Sequence, residues 1–301
     1  MPKICYIEKK FRSESLSLID QINEVIEEYE AQGYSLTLRQ CYYQLVARGI
    51  IPNNERSYKN TGNLINDARL SGLIDWYAIE DRTRNLQKLA HWDNPQSIIE
   101  SASYQYRKDI WENQSYYVEV WVEKEALSNV VGRVADELDV PYFCCRGYVS
   151  QSEMWSASQR LQRKQREGKY CVIIHLGDHD PSGIDMSRDI EDRLLLFGVD
   201  YDMFLFRRIA LNMEQIDLYN PPPNPAKLTD SRCGNYISKY GDESWELDAL
   251  EPKVIHDLIT TNVTEFWDYD LVKQVRNQAA KEKEVMESVA NDWDRIYNQY
   301  S

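Results

Sequence analysis

The sequence predicts an α/β protein of two domains: an N-terminal winged helix-turn-helix domain over residues 1–112, then a domain on a mainly parallel sheet over residues 113–301, with a C-terminal helical extension. Three observations predict it. A chain of 301 residues, 43% of them apolar, is long enough for two cores at about 100–200 residues per domain. Helical periodicity broken by turn signals fills the chain as far as residue 70. From residue 117 onward, apolar strands alternate with amphipathic helices, the pattern of a parallel sheet covered on both faces.

The elements run in order. Leu16, Ile19, Ile22, Val25 and Ile26 make one stripe of a helix over 14–31, which Gly33 ends. Ser35 or Thr37 caps a second helix with Leu38, Cys41, Leu45 and Val46 on its buried face, stopped at Arg48-Gly49. A third runs from Ser57 to Leu70, using Tyr58, Leu64, Ile65 and Ala68. Leu73–Ile79 reads as a short strand or wing, which completes the winged-helix outline. The second part reads as strand 117–122, helix 127–138, strand 141–145, helix 152–167, strand 170–176, helix 184–196 and strand 203–209. Pro221-Pro222-Pro223-Asn224-Pro225 reads as a stiff surface connector, and Leu271–Tyr300 as one charged amphipathic helix.

Composition excludes several classes. No apolar run reaches the length of about 18 residues that a membrane span needs. Six irregularly spaced cysteines without a C-x-x-C pair argue against a zinc ribbon or a disulfide scaffold. With charged residues following Met1-Pro2-Lys3-Ile4-Cys5, the expected location is the reducing cytoplasm. There is no internal repeat and no glycine-rich phosphate loop. The net charge of −14 is unevenly spread: residues 39–88 carry +3, residues 157–169 carry +4, and residues 241–301 carry −8. Charge acts over about 8–10 Å at ordinary salt, so the front half keeps a route to nucleic acid and the acidic tail is expected on the outside.

Chemistry is expected where strands end, because ligands of parallel sheets gather at the carboxyl ends of the strands. Two strands end in acids: Val122-Glu123-Lys124-Glu125 and Leu176-Gly177-Asp178-His179-Asp180-Pro181-Ser182-Gly183. If those strands are neighbours, Glu123, Asp178 and Asp180 form a carboxylate cluster that requires a cation, and all-oxygen ligation fits Mg²⁺, with Mn²⁺ as a substitute. Gly177 and Gly183 let the backbone approach a ligand. A rival reading places a metal on His175 and His179.

Glu at one strand end followed by an Asp-x-Asp-Pro-x-Gly loop resembles the Toprim domain of topoisomerases, primases and related nucleases. The wider segments Val122–Ala126 and Gly177–Gly183 are similar to the A subunit of topoisomerase VI and its meiotic break-forming relative. Arg39-Gln40-Cys41-Tyr42-Tyr43 resembles that family's arginine and paired tyrosines, and Trp245-Glu246-Leu247-Asp248-Ala249-Leu250 its late Glu-x-x-Ala-Leu segment. The resemblance spans roughly residues 35 to 252 and implies a compact, stand-alone version of the A subunit.

It implies a Toprim fold for the second domain and cleavage of double-stranded DNA by transesterification, with Tyr43 as nucleophile, Arg39 on the scissile phosphate, and Mg²⁺ on Glu123, Asp178 and Asp180. Tyr42 is then a packing or substrate-side residue, and Glu125 lies outside the metal shell. The product is a 5′-phosphotyrosyl link. Two protomers are needed to cut a duplex, so a homodimer is implied, each tyrosine working with the other copy's metal. Coupling to ATP would need a separate ATPase subunit. The alternatives are a DNA-binding or assembly module with latent or lost catalysis, and a Toprim nuclease using metal-activated water.

Overall fold

The computed structural model describes residues 3–80, 89–226 and 232–299. Helix α1 (Ser13–Ala31) turns Ile19, Ile22, Val25, Ile26 and Tyr29 inward, the stripe its periodicity predicts. They pack on Leu36 of a two-residue strand, β1 (Leu36–Thr37), on Cys41 and Leu45 of α2 (Leu38–Ala47), and on Ile65 and Ala68 of α3 (Glu55–Leu70). Thr37 and Gln40 close a reciprocal capping box at the start of α2, and Asn54 caps α3, which fixes both helix starts from local sequence. Of the short strand or wing expected over Leu73–Ile79, only Ile79 lies in a strand among the described residues. The chain turns through Asp75 and Trp76 into β2 (Ile79–Glu80), which pairs parallel with β1. Residues 81–88, with Asp81, Arg82, Arg84 and Lys88 of the basic front segment, lie outside the described residues.

Helix α4 (Pro95–Gln105) has no counterpart in the sequence periodicity, although Asn94-Pro95 is a cap followed by a first-turn proline. It lies along a late helix, and Ile110 and Trp111 sit in the core of the α/β part. Trp111 donates its indole N–H to the Leu138 carbonyl at 3.0 Å. Residues 95–111 therefore pack with the α/β part, whereas the division expected from sequence groups them with the N-terminal helices.

The α/β part runs β3 (Tyr116–Val122), α5 (Ser128–Leu138), β4 (Tyr142–Cys144), α6 (Gln151–Arg166), β5 (Tyr170–Leu176), α7 (Pro181–Leu196) and β6 (Phe204–Ala210). The four strands form one parallel sheet in the order β4-β3-β5-β6. Val118, Val120, Val122, Val172, Ile174 and Leu176 face one side with Val130 and Val134 of α5; Trp121, Cys171 and Ile173 face the other with Met154, Leu161, Ile190 and Leu194 of α6 and α7. Both faces are apolar because both are covered. The chain moves from β3 outward to β4, then returns past β3 to β5, so the sheet has its topological switch point between β3 and β5.

Beyond the sheet come α8 (Met213–Tyr219), β7 (Asn224–Pro225), α9 (Cys233–Tyr240), β8 (Glu243–Ser244), a 3₁₀ turn (Leu247–Ala249), α10 (Pro252–Thr264), α11 (Tyr269–Asn291) and α12 (Trp293–Tyr297). Helix α10 joins α5 on its side of the sheet through Ile255 and Ile259. Two sequence expectations are corrected here. The proline-rich stretch is no simple surface connector: Pro221 is buried, and β7 pairs antiparallel with β8. The last thirty residues do not form one helix, since the chain breaks at Asp292 between α11 and α12. Among the described residues no helix is long and apolar enough to cross a membrane.

Gly183, in the first turn of α7, is fixed by space: a Cβ there would fall inside contact distance of the Asp178 carbonyl oxygen. Gly183→Ala is expected to cost about 3 kcal/mol of stability. Gly234→Ala in α9, where a Cβ meets nothing and φ is not positive, is expected to gain about 0.4–1 kcal/mol. Urea unfolding of both variants checks the pair, and a Gly183→Ala protein as stable as the parent would contradict this packing.

Candidate functional site

The register pairs Val122 of β3 with Leu176 of β5, so the acids that come after both strands leave the sheet side by side at its switch point. Glu123 donates its backbone N–H to the Leu176 carbonyl at 2.9 Å, and its Oε2 accepts the Asp178 N–H at 2.9 Å. Asp180 is the N-cap of α7, its Oδ1 accepting the Gly183 N–H at 2.6 Å. Arg208 on β6 holds the loop from below. It donates to the carbonyls of Gly177 (3.0 Å), Asp178 (2.6 Å) and Gly183 (3.0 Å) and to Ser187 Oγ (2.6 Å). Gly177 is needed as well, since a Cβ there would come 2.9 Å from Glu123 Oε2.

The three carboxylates share this edge, yet among the described residues no three His, Cys, Asp or Glu side chains converge as a metal cage. The reason is the Asp178 carboxylate. Its Oδ1 accepts the Leu247 N–H at 2.8 Å and its Oδ2 lies 3.0 Å from Lys124 Nζ. Lys124 also reaches Glu246 Oε2 at 2.5 Å and Asp248 Oδ1 at 3.1 Å. One ammonium thus serves three carboxylates. Glu246 also binds Arg39 of α2, and Asp248 Oδ2 lies 3.0 Å from Arg39 Nε. Glu125 is turned away, paired with Arg146 at 2.5 Å.

Charge balance sets the titration of the cluster. Burial pushes the Glu123 carboxyl up, and Asp180 adds to that against the pull of Lys124 and Arg208. Burial likewise pushes Asp178 above the ordinary carboxylate range, with Glu123 and Asp248 contributing and Lys124 opposing. Glu246 goes the other way: burial raises it, but Lys124 and Arg39 outweigh burial and pull it down to about 2.

Tyr42 and Tyr43 are both buried, in different settings. The Tyr42 hydroxyl accepts the Asn54 N–H at 2.9 Å and donates to Asn53 Oδ1 at 3.0 Å, so it organises the turn between α2 and α3. Tyr43 is 5% exposed and packs on Ala249, with the Arg39 guanidinium 5.8 Å from its ring centre. Its phenol is pushed up by burial, then by Glu246 and Asp248, with Arg39 and Asn224 opposing. Asn53 ties the same helix pair to the α/β part through the Pro223 carbonyl (3.1 Å) and Asn224 Oδ1 (2.7 Å).

All five residues singled out from sequence therefore lie in one region of a single chain. Tyr43 and Arg39 meet the acids through Glu246, Asp248 and Lys124. The roles of Lys124, Arg208 and Asp248 carry no sequence signal of their own. Glu246 and Asp248 belong to the acidic tail expected on the outside, and they lie inward because Arg39 and Lys124 compensate them. Part of the +4 segment is also engaged: Arg160 grips the buried Glu119 with two bonds, at 2.7 and 2.9 Å.

His175 and His179 are held as neutral packing groups. His175 is fully buried with Nδ1 3.1 Å from Ser187 Oγ, and burial, then Arg208, lowers it to about 3. His179 Nδ1 lies 2.7 Å from the Tyr236 hydroxyl, among the rings of Tyr236, Tyr240 and Trp245, and burial, then Arg208, lowers it to about 4. Compared with known proteins, the chain matches no protein-family model and no curated protein.

These charges make stability depend on pH in two opposite ways. A histidine depressed on folding gives stability that is complete above its unfolded value near 6.5 and fades as pH falls toward the folded value. From about pH 6.5 to pH 4 the two histidines by themselves make stability fall with a slope approaching about 2.7 kcal/mol per pH unit, opposed by the raised carboxyls, and His179→Phe should remove about half of the histidine share. Urea midpoints across that range measure it. A carboxyl raised on folding behaves oppositely: its contribution is complete below about pH 4.3 and lost as pH rises through the folded value. Folding raises the Glu123 carboxyl, so Glu123→Gln is expected to raise the melting temperature in EDTA, and by more at alkaline pH than at about pH 4. A drop in melting temperature would show that the Glu123 charge is fully compensated.

Proposed function

We propose that the protein is a Mg²⁺-dependent DNA-cleaving enzyme with the winged-helix and Toprim arrangement of the topoisomerase VI A-subunit type. The observation that carries this reading is the meeting of the tyrosine helix α2 with the acidic strand ends at the switch point, through Arg39, Glu246, Asp248, Lys124 and Asp178. A packing tyrosine has no need of a neighbouring arginine and a neighbouring cluster of acids. A phosphodiester-cleaving tyrosine needs both.

The residues fit a hard divalent ion. The carboxylates of Glu123 and Asp180 share the edge where Gly177 and Gly183 leave room beside Glu123 Oε2, and burial with a neighbouring carboxylate raises Glu123. Glu123 and Asp180 would hold Mg²⁺ or Mn²⁺, with Asp178 joining them when Lys124 yields it. The ion supplies charge neutralisation at a phosphate oxygen. The chain supplies the rest. The Tyr43 oxygen attacks phosphorus, the bond from phosphorus to the 3′-oxygen breaks, and the phenol proton ends on that 3′-oxygen. The break keeps a 3′-hydroxyl and the 5′-phosphate stays on Tyr43. Arg39, one helical turn before Tyr43, neutralises charge that develops on the phosphate. Each protomer has one such tyrosine, so a duplex cut takes a homodimer, and coupling to ATP takes a separate ATPase subunit.

The test is a denaturing gel of 3′-labelled duplex incubated with protein and Mg²⁺. Label is expected to migrate with the protein; Tyr43→Phe should reduce it to background, and Tyr42→Phe should retain part. Free fragments that persist in Tyr43→Phe would indicate a nuclease using metal-activated water. Intact, retarded DNA would indicate a binding module. Mixing Tyr43→Phe with Asp178→Asn protomers restores cleavage only if tyrosine and metal come from different copies.

A further inference from the structure

Two cations on different elements, Arg39 from α2 and Lys124 from the end of β3, converge on the same two carboxylates. Both reach Glu246 Oε2, Lys124 at 2.5 Å, and each also reaches one oxygen of Asp248, at 3.0 and 3.1 Å. Each acid therefore bridges both cations, an arrangement that the cleavage step itself does not use. Two cations holding three oxygens of two carboxylates make a seat that a phosphodiester's two non-bridging oxygens would take. Tyr43 borders this seat, packed on Ala249 of the same 3₁₀ turn that presents the acids.

We propose that Glu246 acts as an internal stand-in for a DNA phosphate: with the buried Asp248 beside it, it fills a phosphodiester-binding seat made by Arg39 and Lys124, and DNA enters it by displacing Glu246. The proposal rests on the DNA-cleaving reading and adds to it a second phosphate-binding residue, Lys124, and a competing anion within the chain. Several features make Glu246 replaceable, while the fully buried Asp248 stays in place. The Arg39 side chain is 43% exposed and that of Glu246 is 23% exposed, so solvent and ligand reach the pair. The Asp248 Oδ2 near Arg39 accepts no hydrogen bond of good geometry and is buried, so the internal anion is an imperfect partner. Lys124 stays anchored when Glu246 leaves, because Asp178 holds it at 3.0 Å. The same contacts dock α2 on the 3₁₀ turn and keep Tyr43 covered, so the free protein rests in a closed state in which the nucleophile is shielded. Entry of a phosphate removes the closing contact at the site where the phosphate is needed. An acidic protein of net charge −14 thereby adds selection against weak, non-productive contact with DNA.

The experiment is fluorescence anisotropy of a labelled duplex with the full chain in EDTA, titrated at several salt concentrations so that cleavage plays no part. Glu246→Gln keeps the shape and removes the competing charge. It is expected to bind DNA about tenfold more tightly than the parent, with a salt dependence steeper by about 0.9 in log–log slope, because a cation of the seat no longer exchanges an internal anion for the phosphate. Arg39→Gln or Lys124→Gln added to that variant should remove the gain. Should Glu246→Gln fail to fold by circular dichroism, Asp248→Asn is measured in its place with the same expected direction. If the parent binds DNA and the variant binds equally or more weakly with an unchanged slope, the internal stand-in is overturned while the DNA-cleaving reading stands. If neither binds DNA at any salt concentration, the DNA-cleaving reading falls, and this proposal with it.

Discussion

Lys124 places one ammonium among the carboxylates of Asp178, Glu246 and Asp248, and much of the molecule's internal organisation depends on that charge. It comes after Glu123 at the end of β3, reaches the loop after β5, and meets the turn on which α2 docks. Without it, buried acids from two distant stretches would repel across the contact between the loop and the turn. Breaking such a pair by removing one partner typically costs about 3–5 kcal/mol, because the remaining charges stay buried without compensation. The Arg39 contacts are of another kind. Arg39 is far more exposed, so its ion pairs contribute on the order of 1 kcal/mol, enough to bias a docking equilibrium and weak enough for a polyanion to compete with.

Arg208 does the complementary work with neutral partners. Its guanidinium binds carbonyls along the Gly177–Gly183 loop, turning several main-chain dipoles toward one buried cation. Burial lowers its pKa, opposed by Glu123, Asp178 and Asp180. The loop is thus held from below by an arginine and from the side by a lysine. Asp178 is turned onto Lys124 and the Leu247 N–H, and Asp180 caps α7, at the point where the strand order reverses and the flanking connections diverge. Gly177 and Gly183 leave the room that this geometry demands.

Much of the fold is legible in the sequence because it is periodic. The stripe of Ile19, Ile22, Val25 and Ile26, the Thr37 cap, and the apolar runs at 116–122 and 170–176 report their partners locally, since a covered face needs apolar residues at a fixed spacing. The departures have a common cause: each turns on a partner far away in the chain. The proline stretch reads as surface because prolines cannot join a sheet interior, but a two-residue edge pair with β8 accommodates them. Glu246 and Asp248 read as part of a solvated acidic tail because averaging charge over a segment hides which acids have cationic partners. Arg160 reads as available basic charge, although Glu119 takes it inward.

The sequence by itself determined the alternation of strands and helices, the acids at two strand ends, and the arginine one turn before the second tyrosine. These are local facts of spacing, and the backbone turns spacing into position within an element. Only the tertiary structure decided that β3 and β5 are neighbours, that Asp178 faces Lys124 and the Leu247 N–H, and that Arg39 is held by Glu246 and Asp248. Those contacts join residues from 54 positions apart (Lys124 to Asp178) to 209 (Arg39 to Asp248), where strand order and charge compensation rule and no periodicity in the chain records the pairing.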